Sequence, residues 1–147
     1  MKLAFRNTDA SPADPVQTWP FEATLTALER GGLSDWRRLA AAIRAEPWGR
    51  VTRSVEQAVA ISRPFGISEV ILDVVADARR AAEAEERAEV AAEVRELVAA
   101  SGRTQAQFAA DLGTSPSRLS TYATGTVVPS AAFMVRMRRL GVCCTDW

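Results

Sequence analysis

The sequence has no histidine, a single lysine against seventeen arginines, and only two cysteines, the adjacent pair Cys143 and Cys144. Without histidine, the commonest general base, the usual nucleophile triads and most zinc catalysis are excluded. Neighbouring cysteines seldom meet relaxed disulfide geometry, so no disulfide framework is expected and a reducing cytoplasm is the expected location. A tetrahedral metal site on Cys143 and Cys144 would have to borrow carboxylates or a second chain. No metal and no cofactor are therefore expected. The chain also lacks a nucleophile–base pair and a phosphate-cradling loop, which speaks against an enzyme. No run of about eighteen uncharged apolar residues occurs, and the first ten residues, charged at Lys2, Arg6 and Asp9, hold no apolar core of signal-peptide length. Neither export nor a membrane partner is expected.

What is present is the balance of a globular chain: 147 residues, 48% hydrophobic and 24% charged, enough for one compact domain or two small ones. Eighteen basic and eighteen acidic residues cancel, but unevenly along the chain. Residues 1–66 hold nine basic and seven acidic side chains, 67–100 four and nine, and 101–147 five and two. Only the last third is poised to approach a polyanion.

Residues 1–20, with Pro12, Pro15 and Pro20, read as an irregular arm, because proline removes backbone donors and fixes turns. Residues 21–66 read as a helical module of about three short helices. Phe21, Leu25 and Leu28 recur at helical spacing before Gly31-Gly32; Ser34 is positioned to cap a second helix with Trp36, Leu39, Ala40 and Ile43 on one face; a third from about residue 52 to 62 buries Val55, Val59 and Ile61 or their neighbours. Residues 67–92 read as a connecting helix. Ser68 is its candidate cap and Val70, Ile71, Val74, Val75 and Ala78 its apolar stripe, and no glycine or proline interrupts it before Gly102. Its Ala- and Glu-rich middle fits either a solvated connector or a coiled-coil seam, alanine making a weak seam.

Residues 102–129 write out two short helices and a tight connection. Thr104 precedes a segment in which Phe108, Ala109 and Leu112 share a face, and Gly113 supplies a left-handed stop. Ser115 can cap a second helix whose first residue, Pro116, sits where its missing N–H does no harm. Leu119, Tyr122 and Ala123 then face inward, Ser117, Arg118 and Thr121 outward, and Gly125 closes the helix.

Thr104-Gln105, Phe108-Ala109, Leu112-Gly113, Ser115, Leu119-Ser120, Tyr122, Gly125 and Pro129-Ser130 stand in the order and spacing of a known pattern. Over roughly residues 88–140, about a third of the chain, it resembles the Cro and phage-repressor type helix-turn-helix family, also called the XRE family. In that family the second helix of the pair enters the major groove and the preceding helix grips the backbone. The resemblance implies base-edge contacts from Pro116, Ser117, Arg118 and Thr121. It implies phosphate contacts from Gln105, Ser115, Gly125 and Thr126. Because the loop reads Thr126-Val127-Val128 where the family is usually basic, Arg103, Arg136, Arg138 and Arg139 are the candidates for the remaining phosphate affinity. A basic helix end is also what the helix dipole favours with no ligand at all. In the helix from about residue 130 to 140, Phe133, Met134, Met137 and Leu140 share a face from which Arg138 and Arg139 point away. Only residues 141–147 follow, too few for the family's usual fifth helix, so any homodimer contact is expected upstream.

Trp19 and Trp36 read as core residues, and Trp48, between two helices in Pro47-Trp48-Gly49, as the contact for a protein partner. The expected fold is all-α: an N-terminal bundle of about three short helices, a long connecting helix, and a C-terminal helix-turn-helix domain over residues 93–147. The expected function is sequence-specific binding of double-stranded DNA, repressing transcription at an operator. Two alternatives stand beside it. One is an antitoxin whose N-terminal module binds a toxin while the helix-turn-helix autoregulates; the other is a protein-interaction adaptor that does not bind DNA.

Overall fold

The computed structural model describes residues 2–142; Cys143, Cys144 and Trp147 lie outside the described residues. Among these, all regular structure is helical: a 3-10 turn at Val16–Thr18, then α1 (Phe21–Arg30), α2 (Leu33–Ala45), α3 (Arg50–Ser62), α4 (Ser68–Ala100), α5 (Gln105–Leu112), α6 (Pro116–Thr124) and α7 (Ala131–Val142). The chain divides into two compact units, Met1–Ala82 and Glu83–Trp147. The 33-residue α4 is continuous and contributes to both. Residues 83–89, its Glu-rich middle, are all exposed.

In the first unit α1, α2, α3 and the start of α4 enclose one core that includes Leu28, Leu39, Ile43, Val55 and Ile71, all buried. Burying side chains of this size contributes about 1.5–3 kcal/mol each. The segment before α1 adds Val16 and Trp19. The Trp19 ring meets Phe5 edge-on at 5.1 Å and lies under the Arg38 guanidinium, and its Nε1 donates to the Ser11 carbonyl at 3.2 Å. Arg38 in turn donates to the carbonyls of Pro12 and Asp14. A cation on α2 thus stitches the proline-rich arm to the bundle, because those prolines leave neighbouring carbonyls without ladder partners. Trp36 is half-buried, with Nε1 donating to the Ala27 carbonyl at 2.9 Å.

Several local expectations change. α2 starts at Leu33, so Ser34 is not its cap; Gly32 holds that place, and the Asp35 carboxylate accepts the Gly32 N–H at 3.0 Å. A carboxylate inside the first turn can reach back to the exposed donor and also meets the positive end of the helix dipole. α3 begins at Arg50, and its buried face is Thr52, Val55, Ala58 and Val59. Ile61 is 64% exposed and Val70 57% exposed, so neither belongs to the core face that apolar spacing assigned it. A residue that is merely apolar at the right spacing stays uncovered when no neighbouring element reaches it.

Candidate nucleic-acid interface

The second unit is built on a small core of Val94, Phe108, Ala109, Leu119, Tyr122, Met134 and Met137. Phe108 from α5, Leu119 from α6 and Met137 from α7 are fully buried in it. Gly141 lets α7 lie against α4, since a Cβ there would come within 2.9 Å of the Leu97 side chain.

Each end of the α5–α6 pair is closed by short-range chemistry. The Thr104 hydroxyl accepts the Gln107 N–H at 3.2 Å and the Gln107 side chain accepts the Thr104 N–H at 2.9 Å, a reciprocal cap. Gly113 takes φ +75, and the Thr114 N–H returns to the Ala109 carbonyl at 3.0 Å. That left-handed residue makes the turn sharp enough for Ser115 to open α6 immediately. The Ser115 hydroxyl accepts the Arg118 N–H at 3.1 Å, and Pro116 is the first helical residue. Gly125 repeats the left-handed stop at φ +79, after which the Val127 N–H returns to the Thr121 carbonyl at 3.2 Å.

With Leu119 and Tyr122 turned into the core, α6 shows solvent an outer face of Pro116, Ser117 and Arg118, all exposed, and the half-buried Thr121. Arg118 is braced: its Nε donates to the Tyr122 hydroxyl at 3.0 Å. The Tyr122 ring is itself fixed in the core and stacks obliquely on Phe133 at 5.5 Å. The Thr121 hydroxyl donates to the Arg118 carbonyl at 2.6 Å, which leaves its lone pairs and methyl group outermost. Ser115 and Ser117 hydroxyls lie 3.2 Å apart. Gln105 opens α5 and is exposed, and Thr126 is exposed in the loop that follows Gly125.

The basic candidates divide. Arg103 pairs with Asp111 at 2.8 Å and reaches the Leu140 carbonyl at 3.4 Å. Arg138 grips Glu93 of α4 with two donors, at 2.6 and 3.3 Å. The hydrogen bond from Arg138, reinforced by its charge, holds the Glu93 carboxyl below the usual range and raises the Arg138 guanidinium. Arg139 and Arg136 are exposed on α7 and make no ion pair among the described residues. Two of the arginines named for phosphate contact are therefore already neutralised by carboxylates, and the cationic surface is weaker than the sequence count implies.

Sequence reasoning missed Arg95. From α4 it donates to the Ala123 carbonyl at 2.5 Å, placing a positive charge on the last turn of α6. That position complements the negative end of the α6 dipole. No signal in the sequence points to this contact, because its acceptor is a backbone carbonyl 28 residues away.

A family model described as a helix-turn-helix domain matches residues 89–142, the stretch from the second half of α4 through α7. No curated protein and no solved structure matches the chain. The chain thus carries a C-terminal helix-turn-helix domain, a fold typical of DNA-binding regulators. Among the described residues no helix is long and apolar enough to cross a membrane, and no group of three or more metal-ligating side chains occurs.

Proposed function

We propose that the protein is a sequence-specific double-stranded-DNA-binding regulator of the Cro and phage-repressor (XRE) type, acting in the cytoplasm as a repressor that occupies an operator. The observation that carries this reading is the outer face of α6, where Arg118 is held by Tyr122 through Nε alone and keeps its two terminal amino groups for a guanine edge. Thr121, with its hydrogen committed inward, presents an acceptor and a methyl group, which suits an adenine or cytosine amino group or a thymine methyl. Pro116 and Ser117 complete the base-facing row. Gln105, Ser115, Gly125, Thr126 and Arg139 meet phosphates from either side, and Arg103 and Arg138 join them by exchanging Asp111 and Glu93 for phosphate oxygens. No cofactor takes part.

The test is a fluorescence-anisotropy titration on duplex DNA from the gene's own upstream region, repeated between about 50 and 200 mM salt. Salt-sensitive binding that unrelated DNA competes for poorly is expected, and Arg118→Ala and Gln105→Ala each weaken it. Absence of salt-sensitive binding rejects the reading and leaves the adaptor without DNA affinity.

A second reading, the antitoxin, is favoured by Trp48, which is 47% exposed at the α2–α3 connection of the first unit and is an apt anchor for a protein partner. If a neighbouring gene encodes a toxin, this chain neutralises it, and Trp48→Ala abolishes neutralisation while DNA binding persists. Unchanged neutralisation removes Trp48 from that role.

A further inference from the structure

The first unit leaves an apolar strip uncovered. α2 and the first turns of α4 frame a groove of about 570 Å³ lined by Leu33, Trp36, Ile67, Val70 and Val74. Leu33 is 59% and Val70 57% exposed, and Phe65, in the loop that leads into α4, is fully exposed. Large apolar side chains left uncovered together along one groove form a candidate interaction surface.

Its rims decide the occupant. Arg37 and Arg44 line the α2 side, are exposed, and make no ion pair among the described residues. On α4, Asp73 follows Val70 by three residues and Asp77 follows Val74 by three, so helical spacing sets both exposed carboxylates beside the apolar pair. Asp77 meets only the neighbouring exposed Arg80. The α2 flank is therefore positive, and the α4 flank, with Asp73 unpaired among the described residues and Asp77 shared with Arg80, is net negative. An acidic partner helix would satisfy α2 and oppose α4, and a basic one would do the reverse. A second copy of the same surface, related by a twofold axis that runs along the groove, sets each positive flank against a negative one.

We propose that this surface is a twofold dimer interface between copies of the chain, with Leu33, Trp36, Val70 and Val74 at its centre and Arg37 and Arg44 of each protomer facing Asp73 and Asp77 of its partner. The inference deepens the DNA-binding reading, on which it rests for its purpose, because two weak half-sites add when two copies bind together.

The test is sedimentation equilibrium of the full chain across the micromolar range. A dimer is expected, and Leu33→Asp with Val70→Asp converts it to monomer while circular dichroism keeps its helical signal. The paired reversals R37D/R44D and D73R/D77R each weaken the dimer by about tenfold or more through like-charge contacts. An equimolar mixture of the two reversed proteins regains it, because every flank in the mixed dimer again meets its opposite. A wild-type monomer throughout, a dimer indifferent to these changes, or a mixture that stays monomeric overturns the proposal. Anisotropy on operator DNA separates the two claims: a dimer that ignores DNA refutes the DNA-binding reading alone, and a monomer that binds DNA refutes the dimer alone.

Discussion

Tyr122→Phe isolates the bracing of Arg118. The substitution keeps the ring that stacks on Phe133 and removes only the hydroxyl that accepts from Arg118 Nε at 3.0 Å. One hydrogen bond of this kind contributes about 0.5–1.5 kcal/mol net, and Arg118 stands at the surface where water replaces the lost acceptor. The expected result is operator affinity about two- to tenfold weaker. Arg118→Ala removes the base contact itself, costs about 1–3 kcal/mol, and weakens binding about 5- to 150-fold. If the hydroxyl acts only by orienting Arg118, Tyr122→Phe adds nothing further in the Arg118→Ala background, so the coupling in the double-mutant cycle equals the whole single-mutant effect. The assay is anisotropy with one operator duplex at fixed salt, with thermal unfolding of each variant as a control. Equal losses in both backgrounds would show that the hydroxyl acts through the core, and the reasoning about Arg118 fails.

Other consequences follow from the same contacts. Phe108→Ala, at a fully buried site, should cost about 3–5 kcal/mol in chemical denaturation, and a cost under about 1 kcal/mol contradicts the assigned core. Gly113→Ala meets no atom within 4 Å, so its expected cost of about 1–2 kcal/mol is backbone strain alone, and Gly113→Asn should cost less; equal costs contradict that cause. Because Arg138 lowers the Glu93 carboxyl, the pair's stabilisation is complete above the ordinary glutamate range near about pH 4.3 and disappears as pH falls through the lowered value. Glu93→Gln should therefore flatten the acid limb of a pH-unfolding curve, and an unchanged limb refutes the pairing. The same variant spares Arg138 the exchange of Glu93 for phosphate, so DNA binding should tighten at fixed salt while the log–log salt slope, set by the number of phosphates contacted, stays the same.

The helix-turn-helix was legible because its instructions are local. Thr104 with Gln107, Gly113, Ser115 with Pro116, and Gly125 each act on backbone groups within a few residues, so their spacing alone announces two helices and the turn between them. The start of α2 was misplaced because serine and a following aspartate both offer a cap, and only the folded backbone shows that Asp35 reaches Gly32. The exposure of Ile61 and Val70 was invisible for a different reason: periodicity identifies a face but not whether another element covers it. The largest revision concerns charge. Arg138 and Glu93 are 45 residues apart, and counting both as independent surface charges overestimated what the last third of the chain offers to a phosphate backbone. Arg95 was overlooked on the same ground, its acceptor being a carbonyl that no side-chain pattern reveals.

If the outer face of α6 lies against a duplex, amide chemical-shift mapping on addition of operator DNA should show it residue by residue. Perturbations concentrated at Gln105, Ser115, Ser117, Arg118, Thr121, Gly125 and Thr126 are expected from that contact. Perturbations confined to residues 21–74, or none at saturating DNA, would contradict it.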